Sequence, residues 1–241
     1  MITTARSLAS VTLAALCTCV VAQPAKQGLP AFPGLRTHVI QDRVSQIPQQ
    51  ISFDPLLTKL LNEPLDAKYN TQGIDGIDMT RVLVTRLNRI SQTRHYVYFD
   101  PGASNDPAFV LAEEASTKPI GTIDADQLVL PGNGFIYAIG RTNKLHLERR
   151  KFAVQDGKLE EVKQPFQFVG LESRANVAIT ITTSKDGTES VAFIPKGERL
   201  FVVLSDDQYL LIRTNFGLVG WFKTSGNRES PEIDGIYFDG D

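Results

Sequence analysis

Residues 191–223 read VAFIPKGERLFVVLSDDQYLLIRTNFGLVGWFK, and this stretch decides the fold class. It opens with an apolar run closed by Pro195-Lys196-Gly197, a turn signal between two strands. The run Leu200-Phe201-Val202-Val203-Leu204 follows, and then the polar turn Ser205-Asp206-Asp207-Gln208. A third run, Tyr209 to Ile212, is broken by Thr214-Asn215 and Gly217, and Gly220-Trp221-Phe222 supplies the last strand. Short apolar strands joined by tight polar turns, with little room for a helix, predict a small antiparallel barrel.

The β signal extends upstream. Residues 177–181 (VAITI) read as a strand that opens the C-terminal segment, with Lys185-Asp186-Gly187 as the next turn. Between 91 and 170, strands are expected at His95–Asp100, Leu128–Leu130, Phe135–Ile139, Leu145–Leu147 and Phe166–Val169. The clearest hairpin joins Phe152-Ala153-Val154 to Leu159–Val162 through Asp156-Gly157, a pair suited to a primed two-residue turn. Residues 103–122 read as an exposed loop. From Ile74 to Ser91 the signals conflict: Asp78 fits a helix cap, whereas Val82-Leu83-Val84 favours a strand. Residues 23 to about 50, rich in Pro, Gln and Gly, read as a mobile leader or a segment laid over the fold. Ser52 is expected to cap a short helix carrying Leu56, Leu57, Leu60 and Leu61 on one face.

The expected organisation is therefore all-β: a leader with a short helix over 23–72, a β-rich domain over 73–172, a small barrel over 173–224 and an acidic tail over 225–241. The tail carries one apolar patch, Ile236-Tyr237-Phe238, which either adds an edge strand or stays loose.

Residues 1–22 read as a secretory signal peptide. Arg6 is its positive end, Val11 to Val21 its apolar core, and Val20-Val21-Ala22 its cleavage site. A periplasmic or secreted product beginning at Gln23 is expected. The apolar run is too short to span a bilayer, which takes about 20 residues. Cys17 and Cys19 both lie inside this segment, so the expected mature chain has no thiol nucleophile and no disulfide framework. Removing Arg6 from the 25 basic residues leaves 24 against 27 acidic ones, a formal charge of −3. That balance argues against nucleic acid as a partner. The one basic stretch, with Arg81, Arg86, Arg89 and Arg94, is either a solvated face paired with carboxylates elsewhere or a surface for an anionic polymer or lipid headgroups.

Roughly from Ala175 to Thr224, the order Lys-Gly, strand, acidic turn, aromatic-x-x-aliphatic and Gly-x-x-Gly-Trp resembles the bacterial SH3 (SH3b) domain. Lys196-Gly197 stands at the turn before that family's central strand, and Gly217, Gly220 and Trp221 fit its closing pattern. Tyr209 with Ile212 stands where the family usually has Trp-x-x-Val. The family's Arg-Ser-Gly-Pro stretch is absent, and Ile181-Thr182-Thr183-Ser184 occupies that region. The resemblance implies an SH3-like barrel that binds peptidoglycan or an envelope protein, with Tyr209, Phe216 and Trp221 as ligand-binding candidates. Trp221, the only tryptophan, either stacks on a ligand or closes the barrel as a core residue.

Catalytic patterns are weak. Cell-wall peptidases that carry SH3b domains use a Cys–His pair, which the mature chain lacks. No Gly-x-Ser-x-Gly elbow surrounds Ser104, and His38, His95 and His146 lack metal-ligand spacing. Glu113-Glu114, Glu160-Glu161 and Asp206-Asp207 are adjacent in sequence, so in a strand they face opposite ways. No cofactor or metal is expected. The expected function is non-catalytic binding in the envelope. The alternatives are an inhibitor or accessory of a cell-wall enzyme acting through residues 101–120, and a carboxylate-dependent hydrolase.

Overall fold

The computed structural model describes residues 31–41, 48–64, 79–102, 106–140 and 147–238. The chain divides into two compact units, Met1–Pro33 and Gly34–Asp241, and the strands among the described residues belong to the second. The expected signal peptide lies outside the described residues, as do Asp78 and His146.

Among the described residues there are 17 β-strands and no helix, so the all-β expectation holds. The strands form three open sheets. The first runs β1 (Arg36–Gln41), β2 (Gln49–Phe53), β8 (Gln127–Leu130), β9 (Phe135–Gly140), β10 (Glu148–Gln155), β11 (Lys158–Glu161). Its β2–β8 pair is parallel. The second is an antiparallel meander of β3 (Thr58–Pro64), β4 (Thr80–Thr85), β5 (His95–Asp100), β6 (Ala108–Glu113) and β7 (Pro119–Asp124).

These two sheets share one core. Ile51, Phe53, Leu128 and Ile136 from the first sheet pack with Val97, Phe99, Phe109 and Leu111 from the second, the arrangement of two sheets stacked face to face. The second sheet is apolar on its other face too, where Tyr98, Val110 and Ala112 cluster with Tyr96 and Met79.

That double burial explains two corrections. Residues 108–113 and 119–124 are strands rather than an exposed loop, because the run Phe109-Val110-Leu111-Ala112 is buried on both sides and shows no alternation. The conflict over Ile74–Ser91 resolves to a strand at Thr80–Thr85 for the same reason.

The expected helix at Ser52–Leu61 is also absent. Ser52 sits in β2 and shares a 2.8 Å hydrogen bond with Thr37, while Leu56 is 81% exposed, so the four leucines form no common apolar face. The expected leader supplies β1 and β2 instead. The Asp156-Gly157 hairpin forms as read: Gln155 pairs with Lys158, and φ is 49° and 73° at the two turn residues, the left-handed values of a primed turn. Leu147 lies just outside β10.

The third sheet runs β12 (Gln167–Arg174), β15 (Arg199–Asp206), β16 (Tyr209–Thr214), β17 (Val219–Lys223), β13 (Ile179–Thr182), β14 (Ser190–Ile194). The expected strand at Phe166–Val169 corresponds to the start of β12 and belongs to this sheet. The β15–β16–β17 meander has the turns read from the sequence, but β12 and β14 remain the two edges of an open sheet. Closure into a barrel is not seen. Val202, Leu210, Ile212, Ile181 and Ile194 form the second core, completed by Ile233 and Ile236 from the tail. The tail is tied to β12: Ala175 bridges Ile233, and Asp234 donates its amide to the Arg174 carbonyl at 3.0 Å.

Candidate functional site

The strand alternation that buries Leu210 and Ile212 turns Tyr209, Leu211 and Arg213 to the other face of the third sheet. On β17, Phe222 packs against the core, so Trp221 and Lys223 share that other face. Trp221 is half-buried there, not a core residue. Gly220 is what permits the arrangement: a Cβ at this position would stand 2.9 Å from the Thr182 carbonyl oxygen and 3.1 Å from the Ile181 Cβ. The close approach lets β13 pair with β17 at Thr182 and Trp221.

Phe166, from the crossing between the two cores, comes to lie against Trp221 with ring centroids 6.5 Å apart and planes at 52°. The Lys185 ammonium, from the turn after β13, sits 5.0 Å from the Trp221 ring centre and 5.5 Å from that of Phe166, and pairs with the Asp206 carboxylate. Tyr209 follows the two-residue turn at Asp207-Gln208, where Asp207 takes φ 51°. Its hydroxyl donates to Asp186, and the Lys223 ammonium lies 5.4 Å from its ring centre. The Asp186 carboxylate accepting that hydrogen bond pushes the Tyr209 phenol above its ordinary range.

Beside this cluster runs an open groove of about 870 Å³, lined by Glu148, Gln164, Phe166, Asp206, Asp207, Tyr209, Lys223 and Phe238. Two smaller clefts exist. One, of about 410 Å³, holds His95 with Glu113, Ser91 and Thr93. His95 Nδ1 has no hydrogen-bond partner there, and burial pushes the imidazole below its ordinary pKa against the opposing pull of Glu113. The other, of about 460 Å³, lies between Arg174, Arg199 and Arg213. The 870 Å³ groove is the candidate site because three aromatic side chains, Phe166, Tyr209 and Phe238, line it together with charged groups of both signs.

Of the three ligand-binding candidates read from the sequence, the structure brings Tyr209 and Trp221 to one side of the sheet. Phe216 is 89% exposed in the turn at the far end of the β16–β17 hairpin, on the order of 15 Å along the strand from Tyr209, and does not line the groove. Sequence reading missed Phe166, Lys185 and Asp186. Phe166 carried a signal as an aromatic beside Pro165, but nothing local placed it against a residue 55 positions away.

The arginines of the basic stretch are largely paired. Arg81 meets Glu63 at 3.4 Å and covers the Tyr96 ring, Arg89 meets the buried Asp54 at 2.9 Å, and Arg94 meets Glu114 at 3.3 Å. Among the described residues no three His, Cys, Asp or Glu side chains gather to hold a metal ion, and no helix is long and apolar enough to cross a membrane.

No family model matches this chain, and no curated protein or solved structure matches it significantly.

Proposed function

We propose that this chain is an exported, non-catalytic binding protein of the bacterial envelope, which recognises cell-wall material or an envelope protein with the outer face of its third sheet. The observation that carries the reading is the grouping of Trp221, Phe166 and Tyr209 beside an open groove of about 870 Å³. Aromatic faces left partly open next to hydrogen-bonding groups suit a ligand with both flat apolar and polar surfaces. Tyr209 and Trp221 also carry the SH3b resemblance, so an SH3b-like origin for β15–β17 belongs to the proposal, as an open sheet rather than a closed barrel. The signal-like residues 1–22 support the envelope location.

Of residues 101–120, named for the inhibitor alternative, 108–113 and 119–120 are sheet strands. The hydrolase alternative would draw on Glu148, Asp206 and Asp207, which all line the groove. Sedimentation of the full mature chain with purified peptidoglycan tests the proposal. Retention in the pellet that falls on Tyr209→Ala or Trp221→Ala supports it. A protein that stays in the supernatant, and binds no envelope protein by crosslinking, overturns it.

A further inference from the structure

This inference rests on the groove being a binding site, and it names the chemical group that the site takes. The Lys185 ammonium lies in the wedge between two rings whose centroids are 6.5 Å apart, within 5.5 Å of both, with the Asp206 carboxylate as the third wall. Two π faces and one carboxylate around one ammonium is the arrangement that recognises a cationic nitrogen, through the ring quadrupoles and a charge-assisted hydrogen bond. A partly exposed Lys–Asp pair contributes little to stability, and ordering a lysine side chain costs rotamer entropy. Lys185 is therefore easily displaced by a ligand that offers the same group.

The groove beyond the box points the same way. Outside the box its carboxylates are Glu148 and Asp207, against Lys223, so it favours a cationic ligand over an anionic one. We propose that Trp221, Phe166 and Asp206 form a receptor for a primary ammonium group carried on a peptide, and that Lys185 fills this receptor as a built-in competitor until ligand arrives. A tethered competitor weakens binding by its effective concentration, and so sets a threshold for the ligand.

Trp221 is the only tryptophan, so its fluorescence reads the box directly. The full chain, Lys185→Ala and Lys185→Gln are titrated with a terminally blocked Gly-Lys-Gly peptide and with its Nε-acetylated counterpart. The free-amine peptide is expected to give a saturable change, about tenfold tighter in either Lys185 variant than in the wild type. The change should vanish with the acetylated peptide and weaken when Asp206→Asn is added. No saturable change in either variant, or equal binding of the acetylated peptide, overturns the proposal. The wider envelope-binding reading is judged separately: peptidoglycan whose amines have been acetylated, if it still pellets the protein undiminished, overturns the ammonium box alone. Failure to bind untreated envelope material counts against the wider reading, while the peptide titration still decides the box.

Discussion

The indole of Trp221 faces the phenyl ring of Phe166 at 6.5 Å, on the opposite side of β17 from the core ring of Phe222. Neighbours in one strand thus face different surroundings, and under the proposed function their truncation should separate stability from binding. Trp221→Ala removes a half-buried ring and one aromatic pair, and should cost about 1–2 kcal/mol. Leu210→Ala, in the fully buried core, should cost about 2–5 kcal/mol. Urea unfolding of both variants measures this. A Trp221→Ala loss equal to that of Leu210→Ala would return Trp221 to the core.

Tyr209 and Phe216 form a second contrast. Tyr209→Ala should lower envelope binding, whereas Phe216→Ala should leave it unchanged, because Phe216 stands at the other end of the hairpin. Pull-down of the two variants side by side decides the matter. The Tyr209 phenol should also lose its proton above the ordinary range, and Asp186→Asn should bring it back down, as read by an absorbance titration against Tyr209→Phe.

The tail should prove structural. Ile233 and Ile236 are fully buried in the second core, so Ile233→Ala and Ile236→Ala should each cost about 2–5 kcal/mol. Glu232 holds this segment through the Thr224 hydroxyl at 2.9 Å and the Ser225 amide at 3.0 Å. Burial alone would raise its carboxyl, but the hydrogen bonds from Ser225 and Thr224 win and hold it below the ordinary range. A lowered carboxyl stabilises the fold above its unfolded pKa, and that contribution is lost as pH falls through the folded value. Acid melts of Glu232→Gln should therefore show a shallower loss below about pH 4 than the wild type.

His95 gives the opposite residue type with the same sign. Burial lowers its folded pKa, so at pH below about 6.5 the unfolded chain takes up a proton that the folded chain refuses. Stability should fall as pH drops from that value and level off once the folded imidazole also charges. Replacing His95 by Gln should flatten this slope in denaturant titrations between neutral and mildly acidic pH. An unchanged slope would mean that the Glu113 charge offsets the burial.

Local chemistry alone settled much of the third sheet. Pro195-Lys196-Gly197, Asp206-Asp207 and Gly217 punctuate β-branched runs, and each of these marks a turn in the fold. The Asp156-Gly157 pair specified its turn for the same reason: left-handed backbone is cheap for those residues. Where burial on both faces removed the alternation, as in Phe109–Ala112, or where leucines happened to fall at helical spacing, as in Leu56–Leu61, the pattern carried no usable signal. Tertiary structure alone decided three things: that the sheet stays open, that the tail completes its core, and that Phe166 and Lys185 meet Trp221. Each depends on contacts between residues far apart in sequence, whose loop closures no local propensity encodes. Gly220 is the link between the two levels, because its missing Cβ is written in the sequence but only the approach of Thr182 gives it a purpose.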